Sequence, residues 1–470
     1  MGKPILCVDI GTSSMKGGLF SEEGDLLQSA RVGIVDSGTE DFSNFNPRRW
    51  EDAFQELVGR LTIHQLGGVI FSGQGPSLVS VDASGRVLFP ALLWIDGREL
   101  KINEWKSFFL PKIAWFKNMH PDLYDRTARF LTCPEYLIYR LTGEAVTASP
   151  SKEFDPYYWE PEVLEKLNLD PSRFPPLVRP ATRIGEVSRE GEQAYGVPFR
   201  TPIFSGGPDY LMSLLGTATT RPGTACDRAG TSEGINFCSE IPKEYPGLRC
   251  LPHIIPGLYT VAGMLTSTGR LFEWFRELTN QRTIPYESMM ETILSQYPQL
   301  AKEPGKFPRF FPYAHPPAGW DFTHGIFLRL GVEHRREELG MAVVEAIGFA
   351  VRSTIELLEE AGCPIHVLRL SGGQAKNRIW NQWKADIVGK PLQVPTVKDA
   401  ELVGGLCVYH VAQGFSPNFT RASDSLVRFE GTIEPDPERM RFYAERYRDY
   451  KVTCQRLIAT VKERTSSSTI

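Results

Sequence analysis

The sequence predicts an α/β protein built from two similar lobes. Strand patterns alternate with helical patterns along the chain, which is typical of this fold class. The tripeptide Gly-Thr-Ser stands at 11–13 and again at 230–232, each time between short apolar strands. A chain of 470 residues is also too long for one hydrophobic core. We therefore predict an N-terminal lobe over 1–218 and a C-terminal lobe over 219–470, with chance recurrence of a tripeptide as the alternative to duplication.

The first lobe opens on a β-meander. Three apolar runs, at 5–8, 17–20 and 26–32, are separated by a glycine turn and an acidic turn. Apolar residues at helical spacing predict a helix over 50–61. The other predicted elements of this lobe are a strand over 67–71, a helical and proline-rich region over 101–200, a strand over 202–204 and a helix over 210–215.

The second lobe begins with another strand–glycine–strand unit, at 223–237. Apolar periodicity then predicts alternating helices and strands, as in the first lobe. The predicted elements are a helix over 335–361, a strand over 367–370, a helix over 379–388, a strand over 392–394, a helix over 401–412 and a charged helical tail from residue 435.

Composition narrows the class of protein. Fifty-six acidic against fifty-two basic side chains give a net charge of −4, without the basic excess of a nucleic-acid or anionic-membrane binder. No apolar run approaches the ~18 residues of a membrane span, and the start of the chain lacks the features of a signal peptide. The eight cysteines form no C-x-x-C pair and are expected to be reduced thiols. We expect a cytoplasmic protein without nucleic-acid or membrane partners, and a homodimer stays open.

The first candidate site is Asp9 followed by Gly11, Thr12, Ser13 and Lys16. A carboxylate at a strand end suits a metal-bound nucleotide, because it faces the cation while the glycine lets backbone N–H groups approach phosphate oxygens. The hydroxyl groups and the lysine add hydrogen bonds and positive charge. A polar β-hairpin with an aspartate in its turn is the structural alternative.

The second candidate is the segment 371–377, Ser-Gly-Gly-Gln-Ala-Lys-Asn. Two glycines between a strand and a helix allow close approach of a flat ligand or a phosphate, and the helix start supplies N–H donors. A tight strand-to-helix turn without a ligand explains the same pattern.

The third candidate is Asp209, which follows the turn Gly206-Gly207-Pro208 and precedes a helix. It is either the N-cap of that helix or a general base presented at a cleft. The histidines have no metal spacing among themselves or with the cysteines, so no zinc site is expected.

Together these segments resemble the FGGY family of carbohydrate kinases, in the superfamily of actin, hexokinase and the heat-shock ATPases. Within this family, the chain resembles the xylulose kinases. The resemblance covers essentially the whole chain, and the motifs follow one another in the family's order. The matching segments are 8–16, 72–74 with 81–87, 94–98, 136–143, 206–209, 230–232 and 371–377. It implies two ribonuclease H-like lobes with a nucleotide and sugar cleft between them. It also implies ATP-dependent phosphorylation of a small sugar or polyol, foremost a ketopentose such as xylulose or ribulose, with ATP and Mg²⁺ as cofactors.

The resemblance also implies roles for individual residues. Asp209 would deprotonate the sugar hydroxyl, and Asp9 would position Mg²⁺ through water. The residues that would bind the nucleotide are Gly11, Thr12, Ser13, Lys16, Gly230, Thr231, Ser232, Gly263, Gly372, Gly373, Gln374 and Asn377. The residues that would bind the sugar are Gln74, Gly75, Pro76, Trp94, Asp96, Asp209 and Tyr210.

Three segments depart from the family pattern. Gly75-Pro76 stands where xylulose kinases carry Met-His and glycerol kinases carry Arg-Glu, Tyr210 follows the base, and the segment 314–317 stands in place of Gly-Glu-Arg. The sugar is therefore left open. A catalytically weak, nucleotide-dependent sugar sensor on the same scaffold is the alternative to an active kinase.

Overall fold

The computed structural model describes residues 2–34, 42–101, 106–230, 232–312, 322 and 324–466. The chain folds into two compact units. Unit 1 comprises Met1–Thr220, Pro252–Gly257 and Ala400–Val427, and unit 2 comprises Arg221–Leu251, Leu258–Asp399 and Arg428–Ile470.

Strands and helices alternate through both units. The strands are β1 (Ile5–Ile10), β2 (Ser14–Phe20), β3 (Leu26–Gly33), β4 (Gly68–Gly73), β5 (Leu78–Val81), β6 (Arg129–Thr132), β7 (Thr147–Ala148), β8 (Leu177–Val178), β9 (Arg183–Glu186), β10 (Pro202–Pro208), β11 (Ala225–Ala229), β12 (Glu233–Ser239), β13 (Arg249–Pro252), β14 (Tyr259–Leu265), β15 (Arg309–Phe311), β16 (Ile326–Leu328), β17 (Leu368–Ser371), β18 (Leu392–Pro395) and β19 (Phe429–Ile433). The helices are α1 (Arg48–Gly59), α2 (Leu110–Met119), α3 (Pro121–Arg126), α4 (Cys133–Thr142), α5 (Pro161–Lys166), α6 (Arg189–Tyr195), α7 (Asp209–Gly216), α8 (Thr268–Leu278), α9 (Tyr286–Leu294), α10 (Tyr297–Lys302), α11 (Arg336–Glu360), α12 (Arg378–Val388), α13 (Ala400–Ala412), α14 (Phe419–Leu426) and α15 (Pro437–Ser466). Short 3₁₀ helices lie at Phe42–Asn44, Lys152–Tyr157, Pro171–Arg173, Pro304–Lys306 and Gly373–Lys376. Within the described residues, no helix is both long and apolar enough to cross a membrane.

Unit 1 is organised around a six-stranded sheet in the order β3-β2-β1-β4-β10-β9. β1 pairs antiparallel with β2 and parallel with β4, which in turn pairs parallel with β10. The predicted meander is confirmed as β1 to β3, and the predicted helix over 50–61 is α1. This helix buries Trp50, Phe54 and Leu57 against the sheet, as its apolar spacing requires.

Unit 2 repeats this arrangement around a seven-stranded sheet in the order β13-β14-β12-β11-β17-β18-β19. β11 is antiparallel to β12 and parallel to β17, just as β1 is to β2 and β4. In each unit, the Gly-Thr-Ser segment thus connects two antiparallel strands of the sheet. The first of these strands also pairs with a parallel strand, β4 in unit 1 and β17 in unit 2. The predicted α/β class with two similar lobes is confirmed.

The region 101–200 differs in part from its prediction as helical. Besides five helices it contains the short strands β6 to β9, and β9 forms one edge of the unit 1 sheet. These strands have two to four residues, too few for an alternating pattern to stand out from the neighbouring helical pattern.

The helices α13 and α14 belong to unit 1, whereas the sequence prediction placed all of 219–470 in the second lobe. α13 packs on α7, β1 and β4. Glycines permit this packing, since a Cβ at Gly404 would lie 2.0 Å from the Met212 carbonyl oxygen and one at Gly216 would lie 1.8 Å from that of Ala400. Only the absence of side chains lets the two helix backbones approach this closely.

We expect Gly404→Ala to lower the free energy of unfolding by ~1–3 kcal/mol or more, because the added methyl group meets backbone that cannot rotate away. The measurement is the urea midpoint of unfolding. The matched control is Gly59→Ala at the end of α1, where a Cβ would meet no atom within 4 Å; it should leave the midpoint unchanged or raise it. Equal midpoints for both variants would contradict the close helix packing.

The cysteines are free thiols, and all but Cys250 are buried. This confirms the expectation of reduced thiols. Burial raises the pKa of Cys7 and Cys407, which keeps these thiols protonated and unreactive.

Candidate active site

The carboxyl ends of three neighbouring parallel strands form one edge of the unit 1 sheet. The register sets Asp9 of β1 opposite Ser72 of β4, and Gly73 of β4 opposite Pro208 of β10. Asp209 follows directly as the first residue of α7. The predicted metal ligand, sugar loop and base therefore come from adjacent strand ends, the edge at which open α/β sheets usually bind ligands.

The Asp9 carboxylate is buried and held by two side chains. The Ser72 hydroxyl donates to its Oδ1 at 2.9 Å, and Lys16 Nζ lies 3.6 Å from its Oδ2. Lys16 Nζ also lies 3.7 Å from Glu401 Oε2, in the first turn of α13. The ammonium group thus stands between two buried carboxylates. Sequence reasoning missed Glu401, because no local pattern links the start of a late helix to the first hairpin.

Among the residues that the structure describes, no three His, Cys, Asp or Glu side chains are placed to hold an ion. A nucleotide-borne Mg²⁺ needs less, because one or two carboxylates usually hold it together with phosphate oxygens and water. Asp9 supplies a carboxylate at the strand end, so the residues present fit Mg²⁺ carried by a nucleotide.

A chain of hydrogen bonds connects the first phosphate motif to the sugar loop. The Trp94 indole N–H donates to Thr12 Oγ1 at 2.9 Å, and the Thr12 hydroxyl donates to Gln74 Oε1 at 3.4 Å. Gln74 Nε2 donates to the Gly11 carbonyl at 3.3 Å. The two predicted binding segments are therefore hydrogen-bonded to each other. Trp94 keeps 43% of its surface exposed, so its ring face is open to a ligand.

The tip of the first hairpin is tight. The Gly11 N–H donates to the Ser14 carbonyl at 3.0 Å, and a Cβ at Gly11 would lie 2.9 Å from that oxygen. Ser13 is exposed, and its carbonyl accepts from the Ile34 N–H. An exposed hydroxyl beside a glycine turn is what close approach of a phosphate requires.

The sugar loop is open beside Gly75. Gly75 is exposed, a Cβ there would meet no atom within 4 Å, and the Gly75–Pro76 peptide bond is cis. Gln74 is 3% exposed, and Ser77 Oγ accepts from the Trp94 N–H at 3.0 Å. Gln74 and Ser77 are thus held in place within the loop. Residues 75 and 76 between them leave open space and offer no side-chain donor.

Asp96 is held from within its own loop. Arg98 donates from Nε to Oδ1 at 2.9 Å and from Nη2 to Oδ2 at 2.5 Å. The buried Lys112 ammonium donates to the Asp96 carbonyl. Both carboxylate oxygens are therefore engaged by Arg98, and direct contact between Asp96 and a sugar stays a prediction.

Asp209 owes its position to a bulge in β10. The register between β10 and β4 shifts between Ser205 and Gly207. A Cβ at Gly206 would lie 2.0 Å from the Phe71 carbonyl oxygen, so the close approach of the strands requires glycine. Asp209 is half-buried, and its Oδ1 accepts from the Tyr210 N–H at 2.6 Å. Pro208 is the N-cap of α7 and Asp209 is its first residue, so the N-cap interpretation of Asp209 is wrong, and its carboxylate is partly accessible.

Another carboxyl group near this edge is that of Glu135, on α4. Burial raises the pKa of the Cys133 thiol, and the charges of Glu135, Asp9 and Asp209 raise it further. The charges of all three acidic groups thus act on this one thiol. Burial also raises the pKa of Glu135 to about 7. Sequence reasoning missed Glu135, which directly precedes the matching segment 136–143 and lies in the first turn of α4.

In unit 2 the second hairpin is closed like the first, with the Gly230 N–H donating to the Ser232 carbonyl at 2.8 Å. Thr231 lies outside the described residues. Gly372 has a φ of +87°, and a Cβ there would lie 2.3 Å from the Ala229 carbonyl oxygen. The predicted adenosine motif therefore adjoins the second phosphate hairpin through a contact that only glycine permits.

The remaining residues of the adenosine motif hold the start of α12. Asn377 is its N-cap, with Oδ1 accepting from the Trp380 N–H at 3.0 Å, and Gln374 Oε1 accepts from the Trp380 indole at 2.9 Å. A Cβ at Gly373 would meet no atom within 4 Å. The motif thus presents open space beside a rigid helix start, which fits a flat base.

Gly263 is needed for the packing of a helix against the unit 2 sheet. A Cβ at this position in β14 would lie 2.2 Å from Thr354 Cγ2 of α11. The glycine therefore allows α11 to pack on the sheet, and its predicted place near a nucleotide stays a prediction.

Comparison with known proteins defines the class as carbohydrate kinases, phosphotransferases that use ATP. The model of the N-terminal domain of the FGGY family of carbohydrate kinases matches residues 4–107 and 102–216, and that of the C-terminal domain matches 228–412. These matches cover most of the chain. The chain therefore belongs to the FGGY family of carbohydrate kinases.

Individual relatives match over nearly their full length. The chain is 24% identical to the xylulose kinase of Staphylococcus xylosus, over 95% of this chain and 99% of that one. The structure of xylulose kinase from Rhodospirillum rubrum matches with a TM-score of 0.77 and 23% identity over 97% of this chain and 99% of that one. Gluconate kinase from Lactobacillus acidophilus matches with a TM-score of 0.80 and 20% identity over 98% and 99%. The fold is thus the two-lobed sugar kinase fold that the resemblance implied.

Proposed function

We propose that this chain transfers the terminal phosphoryl group of ATP to a primary hydroxyl group of a small sugar, a ketopentose such as xylulose or ribulose first. The observation that carries this proposal is the edge of the unit 1 sheet, where Asp9, Gln74 and Asp209 come from adjacent strand ends. The hairpin and adenosine motif that adjoin each other in unit 2 support a nucleotide as co-substrate. The xylulose kinases among the relatives support the sugar class.

Asp209 acts as the general base. Its carboxylate takes the proton of the sugar hydroxyl as that oxygen bonds to the γ-phosphorus, and the bond from phosphorus to the bridging oxygen breaks to release ADP. The Tyr210 N–H, 2.6 Å from Oδ1, holds the carboxylate in one orientation. The products are a sugar phosphate and ADP.

Each unit would contribute one phosphate-binding hairpin, as the family pattern implies. Thr12, Ser13 and Lys16 serve in unit 1, and the segment 230–232 serves in unit 2, with hydroxyl and backbone N–H donors and one ammonium group. Asp9 would hold Mg²⁺ through water, and the ion would neutralise charge on the phosphate oxygens. The adenosine would lie against Gly372, Gly373, Gln374 and Asn377, with Gly263 nearby.

The sugar loop explains the expected substrate preference. Gln74 is a buried amide, and Trp94 offers a flat face to a carbon skeleton, whereas Gly75 and Pro76 offer space without donors. A site that lacks a hydrogen-bond partner cannot strongly select the sugar that needs it, and a buried partner left unpaired costs ~1–3 kcal/mol. Asp96 and Tyr210 would complete the polar contacts.

We expect a ketopentose to give the highest kcat/KM in a panel of glycerol, erythritol, gluconate and both enantiomers of xylulose and ribulose. Glycerol should be poor, because the Arg-Glu pair used in glycerol kinases is replaced by Gly75 and Pro76. The measurement is steady-state kinetics with ATP. Glycerol leading by about tenfold, or roughly 1.4 kcal/mol, would contradict the pocket argument. Nucleotide binding without turnover of any sugar would favour a sensor.

A further inference from the structure

Unit 2 contains a fully buried ion cluster behind its phosphate hairpin. Lys384 Nζ lies 2.6 Å from Asp227 Oδ2 and 2.6 Å from Glu233 Oε1. Asp227 is in β11 and Glu233 in β12, so the two carboxyl groups flank the segment 230–232 from both sides. The three side chains are at most 2% exposed. We call Asp227, Glu233 and Lys384 the lysine triad.

The lysine triad also reaches the adenosine motif. Lys384 Nζ lies 3.5 Å from Gln374 Oε1, which accepts from the Trp380 indole at 2.9 Å. One ammonium group of α12 is therefore in contact with both strands of the hairpin and with the segment before the helix. Movement of any of these elements would break a contact of Lys384.

The charges in the cluster do not balance if both acids are ionised. Two carboxylates against one ammonium group leave a net charge of −1 among side chains that are at most 2% exposed, which is strongly unfavourable. Asp227 Oδ1 and Glu233 Oε2 have no hydrogen-bond partner within the described residues. One proton on either carboxyl group makes the cluster neutral, as in other carboxyl pairs that share a site.

Within the part of the chain that the structure describes, the neighbouring charged side chains do not change the charge balance of the lysine triad. By strand alternation, Arg228 of β11 and Arg369 of β17, which is paired with Cys226, project from the opposite sheet face. The nearest acids of α12 and α11 have their own partners: Asp386 is 3.4 Å from Arg439, and Glu345 is 2.5 Å from Arg446.

We propose that the lysine triad positions the nucleotide-binding residues of unit 2 and that it does so with one proton shared by Asp227 and Glu233. This inference rests on the proposed function, since it assumes that the hairpin and the adenosine motif bind a nucleotide. When the proton dissociates, an uncompensated negative charge remains beneath the hairpin. The hairpin is then no longer held in one position relative to Gln374. Nucleotide affinity therefore falls at alkaline pH.

The titration behaviour agrees with this geometry. Burial, together with the charge of Glu233, raises the pKa of Asp227 to about 8 against the attraction of Lys384. Burial lowers the pKa of Lys384, but its attraction to both acids is larger and raises that pKa above its ordinary value. The proton is thus held through neutral pH and lost at alkaline pH.

The test is the Kd of Mg-ADP, measured by calorimetry from about pH 6 to pH 10, for the wild type, Asp227→Asn and Glu233→Gln. In the wild type, Kd should rise at alkaline pH, by up to about tenfold per pH unit for the loss of one proton. Either amide leaves one carboxylate against one ammonium group, so both variants should show no such rise. Asp449→Asn, at an exposed aspartate of α15, is the control and should keep the wild-type slope.

A double variant distinguishes an effect of the charges of the lysine triad from an effect of side-chain packing alone. The double variant Asp227→Asn/Glu233→Gln leaves Lys384 without a counter-ion and should bind Mg-ADP more weakly than either single variant at every pH. Equal pH slopes in wild type and both single variants would overturn the inference. Failure of every sugar to be phosphorylated, with the predicted slopes intact, would instead contradict the proposed function.

A second readout needs no nucleotide. The ordinary pKa of aspartate is 3.8, and that of folded Asp227 is raised to about 8, so the folded state holds a proton that the unfolded chain releases. Stability is therefore lost as the pH rises between these two values. As the pH rises across this range, the urea midpoint of the wild type should fall relative to that of Asp227→Asn. A difference between the two midpoints that does not change with pH would contradict the shared proton.

Discussion

Replacing Asp209 by Asn is expected to lower kcat for sugar phosphorylation by about 10²–10⁴-fold, the usual effect of removing a general base. The amide cannot accept the proton of the sugar hydroxyl. Its oxygen can still accept from the Tyr210 N–H, which Asp209 binds at 2.6 Å, so α7 should begin as before. The measurement is kcat on the best sugar of the panel, together with the Kd of Mg-ADP, which should stay near the wild-type value.

The matched control for Asp209 is Asp170→Asn. Asp170 also precedes a helical segment in unit 1, where its side chain accepts from the Ser172 N–H at 3.0 Å, and an asparagine caps equally well. This variant should keep wild-type kcat. Comparable turnover in Asp209→Asn and the wild type would refute the assignment of the base.

The second large effect is expected on stability, in the buried ion pair between α11 and α15. Arg446 donates to Glu345 from Nε at 2.5 Å and from Nη2 at 2.7 Å, and both side chains are 3% exposed. Arg446→Met should lower the free energy of unfolding by about 3–5 kcal/mol, because it leaves the Glu345 carboxylate buried without a counter-ion. The measurement is the urea midpoint of unfolding.

Two further variants test the reason for this loss. Arg282→Met breaks an ion pair with Glu277 whose side chains are 54% and 48% exposed, and it should change stability by about 1 kcal/mol or less. Adding Glu345→Gln to Arg446→Met should recover part of the loss, because it removes the stranded charge. A midpoint for Arg446→Met equal to that of Arg282→Met would show that the buried pair contributes little.

Local patterns predicted the parts of the site that lie on one short segment. The apolar runs before Asp209 and before the segment 371–377 end in glycine turns, and each turn requires a missing side chain, since a Cβ would lie 2.0 Å from a carbonyl oxygen at Gly206 and 2.3 Å from one at Gly372. Such close approaches are visible in a sequence because only glycine allows them.

Contacts between distant segments could not be predicted in this way. Glu401 reaches Lys16 only because α13 returns to unit 1, and Lys384 reaches Asp227 only because α12 packs beneath the second hairpin. A lysine on a helix usually lies on a solvated face, so periodicity points away from the buried position of Lys384, and no local pattern links Lys16 of β2 to the start of α13. The engagement of Asp96 by Arg98, two residues away, was also unseen, since an Asp-x-Arg spacing in a loop has no fixed geometry.

The most direct test of the central claim follows the phosphoryl group itself. The wild type and Asp209→Asn are incubated with Mg²⁺, ATP radiolabelled in its γ-phosphoryl group, and xylulose or ribulose, and the labelled products are separated. We predict that the wild type moves the label to a primary hydroxyl of the sugar and that Asp209→Asn moves it about 10²–10⁴-fold more slowly. Label that stays in ATP or appears only as inorganic phosphate with both ketopentoses and every other sugar of the panel would contradict a sugar kinase.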